Sequence, residues 1–316
     1  MRYLIILLTC FCLSCQNQTN TTEEATSSDP TPAQAQVILK TQTIPFDIDQ
    51  KDVIQTAYQN QQKITVPDNL APQNKWVMFE GPVLENELIA YRFYMDSRHR
   101  SDIYGKIVAD MVMDTVSWDY HNIMDWGSDI LKVGNSLGIG SPAVYYQDSV
   151  YAFSEHGAKT VEVIKNNGPE AMVRFTFNDL KIGAETLTIV QDWSLKTGFA
   201  HSSVALSITK GQLPEGAHFA TGVVRHLEQA NSGVEDGNFY LYTWGKQSFH
   251  EQDMGMGILA SEAFGPEIIP DELSHLVVFK NADQQVTYQF MAAWTEDIMK
   301  VKDAKTFQEK LVTYTD

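Results

Sequence analysis

From residue 76 onward the chain consists of short runs of β-branched and aromatic residues separated by turn-forming pairs, and no other feature constrains its fold as much. The runs cover residues 76–80, 88–95, 143–153, 160–165, 171–177, 186–193, 200–208, 239–244, 276–279 and 286–294. Asn167-Gly168-Pro169, Asn178-Asp179, Thr197-Gly198, Lys210-Gly211, Glu215-Gly216 and Asp236-Gly237 punctuate them. These are residues whose backbones tolerate tight reversals. Only 50–62 and 297–312 have a helical pattern, and neither alternates with strands as βαβ units require. The pattern predicts an all-β protein, a large antiparallel β-sandwich with a few peripheral helices. No fixed-period repeat of the kind a propeller carries is present.

The N-terminus reads differently. Arg2 precedes an apolar run over residues 3–11 that closes on Leu13-Ser14-Cys15. The run is too short to cross a bilayer, which takes about 20 apolar residues, so residues 1–14 read as a signal peptide. Its end resembles a bacterial lipobox, which makes Cys15 the first mature residue and the site of lipidation. The alternative is an ordinary cleaved signal. Residues 15–36 are rich in Gln, Asn, Thr, Ser and Pro and read as a disordered tether, leaving 37–316 as one β-sandwich domain. No acidic run follows Cys15, which favours a periplasm-facing membrane anchor over display at the cell surface. All three cysteines, Cys10, Cys12 and Cys15, lie in this leader, so the body has no thiolate, disulfide or Cys-ligated zinc.

Charge narrows the partners. Forty acidic against 23 basic side chains give a formal charge of −17, which excludes a general nucleic-acid binder because such proteins neutralise phosphates with Lys and Arg. Against that background, residues 91–106 carry Arg92, Arg98, Arg100 and Lys106 beside only Asp96 and Asp102. A guanidinium fork matches a carboxylate or sulfate, so this segment suits an acidic sugar; the alternative is a solvated loop of internal ion pairs. A second constellation, residues 118–129, holds Trp118, Asp119, Tyr120, His121, Asp125, Trp126 and Asp129, followed by Lys132. Aromatic faces stack on sugar C–H surfaces while carboxylates accept from hydroxyls. A third spans His218 to Lys246 and includes Arg225, His226 and Tyr242. An aromatic stripe at strand spacing also serves as core. No nucleotide loop, metal-spacing motif or nucleophile elbow occurs, so neither a cofactor nor a metal is expected. Paired carboxylates for glycoside hydrolysis remain open among Asp119, Asp125, Asp129, Glu228 and Glu235.

Residues Glu80-Gly81-Pro82, 87–94, 102–106 and 121–140 carry a resemblance to a family of Bacteroidota exported lipoproteins, classed as a domain of unknown function and encoded in loci that degrade ulvan and pectins. Some members resemble oligosaccharide dehydratases, which remove water from a non-reducing-end uronic acid to leave a 4,5-unsaturated sugar. The resemblance implies a galactose-mutarotase-like supersandwich and an acidic oligosaccharide substrate. Uronate dehydration needs cations on the carboxylate, a base for H5 and an acid for the departing hydroxyl. The candidates are Arg98, Arg225, Lys132 and Lys246 for charge, His121 and His226 for proton transfer, Tyr104 or Tyr242 as the acid partner, and Asp125 and Trp126 for holding the sugar.

Overall fold

The structure is a computed structural model that describes residues 33–49 and 57–314. The expected signal peptide, Cys15 and the tether up to residue 32 lie outside the described residues. Twenty-one strands are present among the described residues. The first seven are β1 (Gln36–Ile38), β2 (Lys40–Gln42), β3 (Tyr58–Asn60), β4 (Lys63–Val66), β5 (Val83–Glu85), β6 (Ile89–Phe93) and β7 (Ser101–Lys106). Next come β8 (Gly127–Asp129), β9 (Ala143–Tyr146), β10 (Ser149–Ala152), β11 (Lys159–Lys165), β12 (Glu170–Ile182), β13 (Glu185–Lys196) and β14 (His201–Lys210). The last are β15 (His218–Val224), β16 (Asn231–Glu235), β17 (Asn238–Lys246), β18 (Asp253–Ser261), β19 (Pro266–Ile269), β20 (Ser274–Phe279) and β21 (Gln285–Trp294), followed by helix α1 (Ala304–Val312).

The strands pair antiparallel throughout, confirming the all-β expectation. One sheet has nine strands in the order β16-β17-β18-β21-β14-β13-β12-β11-β4. Two five-stranded sheets, β1-β5-β6-β7-β8 and β10-β9-β15-β20-β19, cover its inner face. Period-two patterning drives this layering. Leu187, Ile189, Trp193 and Leu195 of β13 are buried, while Thr188, Val190 and Asp192 between them are partly exposed. From the first small sheet Tyr91 meets Phe290 at 5.0 Å and Phe93 meets Trp193 at 4.7 Å; from the second, Phe279 stacks on Tyr288 at 5.7 Å. Each such buried aromatic stabilises the fold by roughly 1.5–3 kcal/mol. The two small sheets are stitched together by the bridges Ser101↔Gly138 and Ile139↔Val223. Gly138 has φ +60°, and a Cβ there would sit 2.0 Å from the Ser101 carbonyl oxygen, so the seam requires glycine. Helix α1 lies on the outer face of the large sheet, with Phe307 and Leu311 occupying the space that side chains on Gly255 and Gly257 would fill.

Several local expectations give way. Residues 58–60 form β3 rather than part of a helix, and 50–56 lie outside the described residues. The C-terminal helix starts at Ala304, because Asp297 folds the preceding segment into a turn by accepting the N–H groups of Trp294, Met299 and Lys300, and Asp303 then caps Thr306 at 2.8 Å. Residues 78–80 form a single 3₁₀ turn with Phe79 in the left-handed region, φ 59°. The run 143–153 is a hairpin whose turn places Gln147 and Asp148 at positive φ. Asn178-Asp179 is a bulge inside β12, not a turn. Pairing also begins slightly before residue 37: Ala35 is fully buried and bridges Gly168.

One charge lies deep between the layers. Lys159 is fully buried, with Nζ 3.2 Å from the Asp96 carbonyl oxygen and 5.7 Å from the Phe177 ring, and burial pulls its ammonium down to about 7. In the unfolded chain it titrates near the ordinary lysine value of about 10.4. Between these values the unfolded chain holds more protons, so this group makes stability rise as pH climbs from about 7 to about 10. Lys159→Met is expected to be more stable by about 1–3 kcal/mol at pH 7 and to lack part of that rise. Urea melts at pH 7 and pH 9.5 measure both; an unchanged pH slope would mean that the ammonium keeps its proton in the core.

Candidate functional site

The outer face of the β1-β5-β6-β7-β8 sheet carries an unusual set of side chains. Alternation turns Tyr91 and Phe93 toward the core, so Arg92 and Tyr94 face outward, and register places Arg92 opposite Asp102 and Tyr104 opposite Asp129. This face is roofed by a second apolar cluster of Ile38, Phe79, Met113, Val116, Tyr120 and Trp126. Beneath it lies Arg92, which is completely buried. Its Nη2 donates to Tyr94 Oη at 2.6 Å, to Asp129 Oδ2 at 3.3 Å and to Asp102 Oδ2; its Nη1 donates to the Phe79 carbonyl at 3.0 Å and to Tyr120 Oη at 3.1 Å. Tyr94 in turn donates to Asp102 at 2.7 Å. Burial and the neighbouring Asp102 charge push the Asp129 carboxyl well above the usual carboxylate range. A separate buried pair, Lys106 with Glu85 at 2.8 Å, secures the same sheet.

At the rim of this cluster the side chains become reactive and accessible. His121 is 56 % exposed, and its Nδ1 lies 3.4 Å from Asp129 Oδ2. Its ring stacks on Phe249 at 5.8 Å with an interplanar angle of 28°. Phe249 is held by its backbone N–H, which donates to the Ile130 carbonyl at 2.7 Å, and Lys132 Nζ lies 5.1 Å from its ring centre. The Lys132 carbonyl accepts from His226 Nε2 at 2.8 Å, which leaves Nδ1 as the free nitrogen of a neutral His226. His250 Nε2 is 2.8 Å from Ser128 Oγ. Desolvation lowers all three histidines below their ordinary value, with the Arg92 charge adding to the effect at His121 and the Lys132 charge at His226 and His250. Neutral imidazoles beside an ammonium, with a buried carboxyl behind one of them, can bind an anion and move protons.

Of the residues singled out from sequence, His121 and Lys132 therefore meet at Phe249, and His226 is tied to the Lys132 backbone. The others are placed elsewhere. Arg98 is locked onto Asp96 and Glu80 and lies 3.8 Å over the Tyr94 ring, at the far side of the Arg92 cluster. Arg225 pairs with Glu228 at 2.6 Å and donates to the Asp271 carbonyl at 3.1 Å; no group that holds it also holds Arg98. Tyr104 is buried with its hydroxyl unpartnered, under Trp126, whose ring is likewise part of the roof. Tyr242 packs on Phe307 of α1, Lys246 is exposed at the end of β17, and Asp125 is exposed near the rim. The ion-pair reading of the arginine segment thus holds for Arg92 and Arg98. Sequence reasoning missed Phe249 and His250, which lie in a loop with no motif, and did not give Arg92 its central place. The period-two pattern of residues 88–95, which sets Arg92 and Tyr94 on one face, was the available signal. No group of three or more His, Cys, Asp or Glu among the described residues is arranged to hold a metal ion.

An all-β sandwich with a buried arginine–aspartate cluster opening onto a histidine- and lysine-lined rim is thus the class of molecule that fold and site define. The chain belongs to the family of the domain of unknown function DUF4861, whose model matches residues 13–316. No curated protein matches it. Among solved structures it is similar to the alpha-N-acetylgalactosaminidase NagBb from Bifidobacterium bifidum in its GalNAc complex, at 10 % identity and a TM-score of 0.31. That match covers 70 % of this chain and 37 % of the other, so the chain spans little more than a third of that enzyme's length.

Arg92 is the charge on which the cluster turns. Arg92→Met leaves Asp102 and Asp129 buried without a counter-ion, and a loss of about 3–5 kcal/mol at pH 7 is expected. A buried carboxylate without a counter-ion is destabilising only while ionised, and burial already holds the Asp129 carboxyl above its ordinary value, so the deficit should narrow as pH falls toward about 4. Denaturant melts of both proteins at pH 7 and pH 4.5 test this, and an equal deficit at both would count against a charge effect.

Proposed function

We propose that the protein is a carbon–oxygen lyase, an oligosaccharide dehydratase that removes water from the non-reducing-end uronic acid of ulvan-type acidic oligosaccharides. One observation carries the reading: an accessible histidine backed by a buried carboxyl shares the Phe249 ring with an ammonium, and a second histidine is held by the backbone of that lysine. Lys132 neutralises the uronate carboxylate, so that charge can develop at C5. His121 takes H5; the C5–H electron pair forms the C4=C5 double bond, the C4–O bond breaks, and the imidazolium form of His226, protonated at Nδ1, gives the departing hydroxide the proton that makes it water. Asp129 orients His121 and Phe249 offers a face for the sugar ring. A hydrolase fits less well. Its two carboxylates must face the substrate roughly 5–10 Å apart, whereas of the five carboxylates singled out for it Asp129 is buried against Arg92 and Glu228 is paired with Arg225. The proposal extends to lipid attachment at Cys15 and a periplasm-facing anchor, as the leader sequence suggests.

Incubation with acidic oligosaccharides should give a product lighter by one water, about 18 mass units, with the ultraviolet absorbance of an unsaturated uronate. His121→Ala and His226→Ala should each lower turnover by about 100–10,000-fold; unchanged turnover in both removes them from the chemistry. Substrate bound without any mass change would instead mark a glycan-binding protein. Since both histidines lie below their ordinary value, kcat/KM should peak below about pH 6.5 and fall above it as His226 loses its proton.

A further inference from the structure

A cavity of about 300 Å³ lies over β10 and β20 of the second small sheet, walled by Leu137, Val150 and Leu276, with Arg100 and Ser274 at its polar side. Its volume is at the lower end of ordinary small-molecule sites, about 300–1,000 Å³. Most polar groups around it are already engaged. Ser274 Oγ accepts the Leu137 N–H at 3.0 Å, and Asp271 Oδ2 accepts the N–H groups of Leu273 and Ser274. Arg100 is the exception. A guanidinium has five donors, yet here Nη1 alone finds a partner, the Gly134 carbonyl at 2.8 Å, and Nε is shut away from solvent with none.

The charge count sharpens the contrast. Of the five described arginines, Arg92, Arg98, Arg174 and Arg225 each sit on a carboxylate, whereas no carboxylate among the described residues lies within 4.0 Å of Arg100. In a chain of formal charge −17 a half-buried arginine without a counter-ion is not for want of acidic side chains. Burial and the nearby Arg98 charge lower its pKa, and the Asp96 charge offsets them only in part. The cavity is also tied to the rim described above. Gly134 is two residues beyond Lys132, and the Leu273 carbonyl on the cavity wall accepts the N–H of Arg225, next to His226.

We infer that this cavity is a second anion-recognising subsite, in which the Arg100 guanidinium takes the carboxylate or sulfate of a further sugar unit of an acidic oligosaccharide. The apolar wall faces the C–H surface of that sugar, and Arg100 Nη2 donates to its charged group. The identity of the rest of the ligand rests on the acidic-sugar reading of the His121 rim.

Titration calorimetry with galacturonate, sodium sulfate and neutral galactose on the full chain tests it, using Lys132→Met to remove the charge that binds an anion at the rim. Galacturonate or sulfate should bind Lys132→Met, whichever binds identifying a carboxylate or a sulfate ester, and galactose should not. Lys132→Met combined with Arg100→Met should weaken that binding about tenfold or more, while Arg100→Lys in the same background should recover part of it. Equal binding in all three backgrounds, or none of either anion to Lys132→Met with an unchanged melting temperature, overturns the subsite. On oligosaccharide, Arg100→Met should raise KM with kcat retained. Absent turnover in the unaltered protein would sink the dehydratase while leaving the calorimetric result to decide the subsite.

Discussion

The Arg92 guanidinium organises one whole side of this molecule. Taking it out of water is affordable only because Asp102 and Asp129 supply charge and Tyr94, Tyr120 and the Phe79 carbonyl fill its remaining directions. Those groups come from the 3₁₀ turn, β6, β7, β8 and the loop between the last two, so the ion cluster fixes the register of three strands and the position of the loop above them. The apolar roof of Met113, Val116 and Trp126 then keeps water out, which strengthens every interaction inside.

From this interior the rim inherits its geometry. Asp129 is the shared member, touching Arg92 on one side and His121 on the other. His121 is therefore oriented by a group that cannot move without disturbing the strand pairing. The opposing wall, Phe249 and His250, belongs to the segment leading into β18 and is docked on residues 128–130 by a backbone and a side-chain hydrogen bond. Reactive side chains on loops, each anchored to a sheet, combine accessibility with a fixed position.

The sheets were legible because alternation has a physical cause, one buried face per strand, and it survives in runs such as 186–193 and 286–294. What escaped followed other rules. β18 reads Asp-Met-Gly-Met-Gly-Ile-Leu-Ala-Ser, and its glycines look like breakers until α1 is seen lying in the space they leave. β7 looks like a polar loop because its outward face carries Asp102, Tyr104 and Lys106, each buried, Asp102 against Arg92, Tyr104 against Phe79 and Tyr120, and Lys106 against Glu85. For the same reason His121, Lys132 and His226 could be singled out one by one, whereas Phe249 and His250, brought in over more than a hundred residues of chain, could not.

Phe79 unites two requirements that usually fall to different residues. Its backbone occupies the left-handed region, where glycine is the ordinary choice, and so aims its carbonyl at Arg92; its ring fills the roof against Tyr104 and Tyr120. A glycine would keep the first and forfeit the second, while a bulky β-branched residue would resist the torsion itself. Position 79 thus admits few residues, and exchanging its aromatic ring would uncover the interior cation while leaving the surrounding sandwich in place.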